Sequence, residues 1–132
     1  MRILLADDHP NFPEIEERLL EVEFEVIGKV GNGQALFEQA MRLKPDVIVT
    51  DISMPILNGI EATIRLRKSG CKARILFLTV HSDTEFARSC LSAGASGYVA
   101  KSRMLRDLLP AIREVLAGNI FVSGGLPHDN EA

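Results

Sequence analysis

The sequence predicts an α/β fold: a doubly wound parallel sheet of five strands, with five helices packed on its two faces. Three observations predict it. Short apolar runs such as Val47-Ile48-Val49-Thr50 and Arg74 to Thr79 have the continuous hydrophobicity of strands buried on both faces, the habit of parallel sheets. Between such runs, apolar residues recur every three or four positions, as on one face of a helix. Each connection is also long enough for a right-handed βαβ crossover, which places helices on both sides of the sheet.

In chain order, Arg2 to Ala6 is the first strand and ends at Asp7-Asp8. Pro10 and Pro13 bracket the start of a helix whose apolar face is Phe12, Ile15, Leu19 and Val22. Glu14, Glu16, Glu17, Arg18 and Glu21 populate its other face. Glu25 to Val30 is the second strand, and Gly31-Asn32-Gly33 turns into a second helix marked by Leu36, Ala40 and Leu43. Lys44-Pro45 stops that helix. Asp46 to Asp51 is the third strand, and Pro55 breaks the segment that follows. Asn58-Gly59 opens a third helix with Ile60 and Ile64, ending near Ser69-Gly70.

Arg74 to Thr79 is the fourth strand. Asp83 is a natural N-cap for a fourth helix holding Phe86, Cys90 and Leu91. Ala87, Ser89, Ser92 and Ala93 make that helix the most weakly anchored. Gly94-Ala95-Ser96-Gly97 leads to a fifth strand, Tyr98-Val99-Ala100, followed by Lys101. Leu105, Leu108, Leu109, Ile112, Val115 and Leu116 form the clearest helical stripe, with Gly118 as its stop. Pro110 sits there without cost if Asp107 caps the helix, and implies a kink if the helix begins nearer Met104. Residues 1–122 make one domain, and residues 123–132 read as a flexible tail or the start of a linker.

The bulk numbers exclude several classes. A chain of 132 residues can bury a core without disulfide or metal staples. A net charge of −3 argues against this segment binding nucleic acid by itself. No apolar run approaches the ~18 residues a membrane span needs, and Met1-Arg2-Ile3 enters a strand with no signal-peptide pattern. Cys71 and Cys90 have no ligand spacing and suit free thiols in a reducing cytoplasm.

The chemistry collects at the strand ends. Asp7-Asp8, Asp51, Thr79 and Lys101 each follow or finish a different strand, and in a doubly wound sheet those ends share one edge, where ligands bind. Three carboxylates close together repel one another, and a hard divalent cation and the Lys101 ammonium relieve this. Carboxylates, carbonyl oxygens and water suit magnesium. A carboxylate facing a metal and a lysine fits phosphoryl transfer to Asp51. Such a site requires Asp8, Asp51, Thr79 and Lys101 on one rim, with Asp51 within reach of water.

Asp7-Asp8, Asp51 with Met54-Pro55 and Gly59, Thr79, and Gly97-Tyr98 with Lys101 together resemble the receiver domain of two-component response regulators, over residues 2–122. The resemblance implies a flavodoxin-like strand order 2-1-3-4-5 and phosphorylation of Asp51 by a sensor histidine kinase. It implies a magnesium (or manganese) ion on Asp8, Asp51 and the Ser53 backbone carbonyl, with Asp7 acting through water. Thr79 would be the switch hydroxyl, Tyr98 the aromatic switch and Lys101 the phosphate-contacting lysine. The face of the fourth helix, fifth strand and fifth helix would remodel on phosphorylation, with possible homodimer formation as a consequence.

Asp8-His9-Pro10, Gly94 to Tyr98 and Leu116-Ala117-Gly118-Asn119 resemble the LuxR/NarL-type subfamily, whose receivers precede a DNA-binding helix-turn-helix. The chain is then expected to be a cytoplasmic receiver cut from a transcription regulator, whose DNA contact lies in a missing C-terminal output domain. A stand-alone or pseudo-receiver interaction module is the alternative. Val80, where the family often has a small residue, stands to crowd the phosphoryl pocket. Ser53 and His81 occupy positions that in this family tune phosphoryl lifetime. A turnover phosphohydrolase would need a second acid at position 53, which is Ser, so no turnover enzyme is expected. A flavin carrier would want a phosphate loop rich in Ser, Thr and Gly, where this chain has Asp7-Asp8.

Overall fold

The computed structural model describes residues 1–81 and 84–123, the side chains of Phe12 and Thr84 excepted. The order is β1 (Arg2–Ala6), α1 (Phe12–Leu20), β2 (Glu25–Val30), α2 (Gly33–Leu43), β3 (Val47–Thr50), α3 (Gly59–Lys68), β4 (Arg74–Thr79), α4 (Thr84–Ala93), β5 (Gly97–Ala100), α5 (Met104–Leu116) and β6 (Phe121–Val122). A single 3-10 turn, Lys101–Arg103, leads into α5. All strands are parallel, in the order β2-β1-β3-β4-β5-β6. The expected five-stranded sheet is present with a sixth strand added beside β5. Two residues are too few to show a periodic signal, and what makes Phe121–Val122 a strand is tertiary. Phe121 N–H donates to Ser96 O at 2.9 Å and Ser123 N–H to Tyr98 O at 2.8 Å.

Alternation along the strands divides the core in two. Leu4, Ala6, Ile48, Ile75, Phe77 and Tyr98 face α2, α3 and α4 through Leu36, Ala40, Ala62, Leu66, Ala87 and Cys90. Ile3, Leu5, Val47, Val49, Leu76, Leu78 and Val99 face α1 and α5 through Leu20, Leu108, Ala111 and Ile112. Both faces of β1, β3 and β4 are therefore dry, which is why these strands are apolar without a break.

Helix termini follow local chemistry. Asn32 caps α2 by accepting from Ala35 N–H, and Lys44 ends it in the left-handed region ahead of Pro45. Asn58 and Glu61 form a reciprocal capping box on α3. Asp83, the expected cap of α4, lies outside the described residues. The α5 helix begins at Met104 and carries Pro110 inside it, and Gly118 follows its C-cap at φ +92°.

Three expected helix faces are corrected. On α1 the buried residues are Glu16 and Leu20, whereas Ile15 is 47% and Val22 76% exposed. The helix ends at Leu20, so Val22 never belonged to its stripe. On α3 the buried residues are Gly59, Ala62, Thr63 and Leu66, with Ile64 exposed. On α5 Leu105 is exposed, whereas Met104 and Leu108 on either side of it are buried, so it lies on the outer face of the first turn.

Candidate functional site

Register brings the strand ends together. Ala6 pairs with Thr50, Thr50 with Phe77, and Thr79 with Ala100. The residues that follow, Asp7, Asp51 and Lys101, therefore leave the sheet at one edge. Asp51 N–H donates to Ala6 O at 2.9 Å and Asp7 N–H to Val30 O at 3.0 Å, which fixes both backbones on the rim. Gly59 closes the loop after β3. Its N–H donates to Ile52 O, and a Cβ there would stand 2.0 Å from the Asp51 carbonyl oxygen. Only a residue without a side chain allows α3 to start so close to Asp51.

Lys101 Nζ sits 2.7 Å from Asp7 Oδ2 and 3.0 Å from Asp51 Oδ2, and all three groups are buried. His9 completes the cluster: its Nδ1 lies 2.8 Å from Asp7 Oδ1, 3.3 Å from Asp51 Oδ2, 3.7 Å from Asp8 Oδ1 and 3.2 Å from Lys101 Nζ. Ile52 N–H donates to Asp51 Oδ1 at 2.6 Å, leaving Oδ2 as the oxygen that faces the cations. The expectation that Asp51 lies within reach of water is corrected: it is 1% exposed, with Lys101 Nζ and His9 Nδ1 standing 3.0 and 3.3 Å from its Oδ2. The half-exposed His9 ring and the half-exposed Asp8 are the groups on its solvent side.

Burial alone would push the Asp7 carboxyl up. Hydrogen bonds from Glu16, Lys101 and His9 outweigh it and hold the group below the usual carboxylate range. Burial also disfavours the Lys101 ammonium, and its hydrogen bonds to Asp7 and Asp51 reverse that and raise it. Glu16 absorbs the imbalance. Burial, then its hydrogen bond to Asp7 and the negative charge of Asp7, push its carboxyl up to about 9. A neutral Glu16 therefore donates a hydrogen bond to Asp7 from beneath the site.

Asp7, Asp8, His9 and Asp51 each offer one ligand atom, all within 4.8 Å of one another. Three carboxylates opposed by one ammonium form a donor set that fits a divalent cation.

The remaining expected residues, Thr79, Tyr98 and Ser53, are joined to one another through His81. Thr79 is fully buried, and its Oγ1 accepts from His81 N–H at 3.2 Å. Tyr98 is fully buried too, and its hydroxyl donates to the His81 carbonyl at 2.6 Å. Ser53 is exposed, with its Oγ 3.1 Å from His81 Nε2. The His81 ring stacks on Phe86 at 4.3 Å, linking this rim to α4. Val80 is 60% exposed, so it does not crowd the pocket.

Sequence reasoning overlooked two members. The sequence reading places His9 only in the Asp8-His9-Pro10 motif, although it adjoins Asp7-Asp8 and its ring enters the cluster. Glu16 was placed with the solvated acids, although its spacing of four from Leu20 puts both on one stripe.

Fold and site together define a receiver domain of the two-component kind, and the chain belongs to the response regulator receiver domain family, which it matches over residues 3–113. Within that family it is similar to LuxR/NarL-type regulators. It is 35% identical over 126 residues to the nitrate/nitrite response regulator NarL of Escherichia coli K12, covering 94% of this chain and 58% of NarL. A LuxR-family two-component response regulator from Aurantimonas sp. SI85-9A1 superposes with a TM-score of 0.89 at 38% identity, covering 93% of this chain and 89% of that one. The isolated receiver domain of RcsB from Salmonella enterica serovar Typhimurium, solved with the phosphomimetic BeF3⁻, superposes with a TM-score of 0.85 at 26% identity, covering 94% of each chain. RcsB has also been solved bound to DNA. This chain spans little more than half the length of several curated relatives, 58% for BvgA and 56% for DegU.

Proposed function

We propose that Asp51 accepts a phosphoryl group from a sensor histidine kinase, and that the resulting charge switches the surface around α4, β5 and α5. The observation that carries this reading is the Asp51 carboxylate, buried at the sheet edge 3.0 Å from Lys101 Nζ and beside two further acids. A magnesium or manganese ion would be held by Asp8, Asp51 and the Ser53 carbonyl, with Asp7 acting through water. Bound there, it would neutralise the phosphoryl oxygens.

The residues divide the work. An Asp51 carboxylate oxygen forms the new bond to phosphorus as the donor's N–P bond breaks, and the electron pair leaves with the donor imidazole. Lys101 turns from the carboxylates to an incoming phosphoryl oxygen. The Thr79 hydroxyl donates to another. Phosphorylation brings about two negative charges to a pocket already rich in them. Moving Thr79 shifts the loop at His81, whose carbonyl holds the Tyr98 hydroxyl and whose ring stacks on Phe86 of α4. The signal thus has a contiguous path from Thr79 to α4. The chain carries out its own transfer once and is not a turnover enzyme. In a cytoplasmic transcription regulator of this type, DNA contact would come from an output segment outside these 132 residues, with pairing of receivers on phosphorylation.

Incubation with acetyl phosphate and magnesium, read by intact mass, should show one phosphoryl addition. Chelation of the metal or Asp51→Ala should remove it. Persistent labelling of Asp51→Ala would contradict the assignment.

A further inference from the structure

Among the described residues, His9 is the one nitrogen donor in a cluster otherwise made of carboxylate oxygens. Its Nδ1 lies 3.3 Å from Asp51 Oδ2 and 3.7 Å from Asp8 Oδ1. In a tetrahedral zinc site, metal–ligand bonds of about 2.0–2.2 Å set neighbouring ligand atoms about 3.3–3.6 Å apart. Both separations lie close to that edge. On coordination Nδ1 would give up both its 2.8 Å hydrogen bond with Asp7 Oδ1 and its 3.2 Å contact with Lys101 Nζ, leaving Asp7 to hold a water of the ion.

An independent, geometric observation lies beneath the same cluster. Glu16 is 1% exposed, interacts with Asp7, and its Oε1 meets no hydrogen-bond donor among the described residues. A buried oxygen thus lies under Asp7 without a donor of its own, and Lys101 is the only ammonium in direct contact with Asp7 and Asp51 among the described residues.

Resting on the reading of this pocket as a divalent-cation site, we infer that His9 gives it a nitrogen ligand and lets it hold zinc through His9 Nδ1, Asp8 and Asp51. Imidazole suits zinc, whereas magnesium is satisfied by oxygen and water alone. His9 thus sets the balance between the two metals. Zinc on Asp51 Oδ2 occupies the atom that faces Lys101, so it opposes phosphoryl acceptance instead of supporting it.

Titration calorimetry on the whole, metal-free chain tests this with zinc chloride and magnesium chloride separately, for wild type, His9→Ala and His81→Ala. His9 is half-exposed, so its removal leaves the core intact, and circular dichroism checks this. His9→Ala should weaken zinc by at least about tenfold and change magnesium by less than about threefold. His81→Ala, which removes no ligand of the proposed zinc site, should not reproduce the selective loss of zinc. An unchanged zinc affinity in His9→Ala, an equal loss of both metals, or a zinc loss confined to His81→Ala each overturns the inference while leaving the receiver site standing. A wild-type chain that binds neither cation overturns both.

Discussion

Glu16 is a carboxyl group where the packing of α1 asks for an aliphatic side chain. Its folded-state pKa, raised from 4.5 to about 9, gives the native chain a proton that the unfolded chain gives up. The stability it contributes is complete below the unfolded value and is lost as pH rises through the folded one. Glu16→Gln keeps the shape and a donor toward Asp7 but cannot ionise. In metal-free buffer, urea unfolding from pH 5 to 8 should show wild type losing ground to Glu16→Gln by up to about 1.4 kcal/mol per pH unit. Parallel curves would refute the shared proton. Lys101 is the complementary case. Lys101→Met strands two buried carboxylates and should destabilise by about 3 kcal/mol without metal. Added magnesium should recover part of the loss in the same unfolding measurement, because the ion takes over the ammonium's charge. A loss indifferent to magnesium would mean that the lysine acts by packing alone.

At the level of single elements, the loop joining β3 to α3 stores strain. Leu57 N–H donates to Pro55 O at 2.7 Å across Ile56, whose φ is +71°, a γ-turn of the rarer hand. A β-branched residue is a poor tenant there, and Ile56 is 81% exposed, so burial returns little. Ile56→Gly should raise stability by about 1 kcal/mol, read as an upward shift of the thermal midpoint. A downward shift would show that the isoleucine side chain supports the loop. Strands and caps were legible in the sequence because their causes are local: unbroken apolar runs, Asn32 and Asn58 before helices, Pro45 and Gly118 after them. Helix faces were less so. Ile15, Ile64 and Leu105 are apolar and exposed, and Glu16 is charged in composition yet buried. Which side of a helix meets the sheet depends on crossing geometry and on the site beneath, neither of which is written in a three-four spacing. β6 escaped for a related reason, since backbone bonds from distant residues make it a strand.

Across the whole molecule, the active edge was the most legible feature of all. Parallel topology sends every strand end to one rim, so Asp7, Asp51 and Lys101 had to meet once the strands were recognised. What topology could not reveal was the depth of Asp51 or the His9 ring on its solvent side. The added β6 removes β5 from the sheet edge and encloses Tyr98 between β4 and β6. His81 joins Thr79 and Tyr98 to α4, whose described buried side chains, Ala87 and Cys90, are small, and this is the route the proposed switch would take.

The central claim is that acids from β1 and β3 and the amine after β5 form one pocket for a cation and a phosphoryl group. The most direct measurement is the thermal midpoint with magnesium and beryllofluoride, a phosphoryl mimic, added separately and together. Wild type should gain several degrees with both and much less with either alone, and Asp51→Ala should gain nothing from beryllofluoride. An equal gain in Asp51→Ala, or no gain in wild type, would contradict the account.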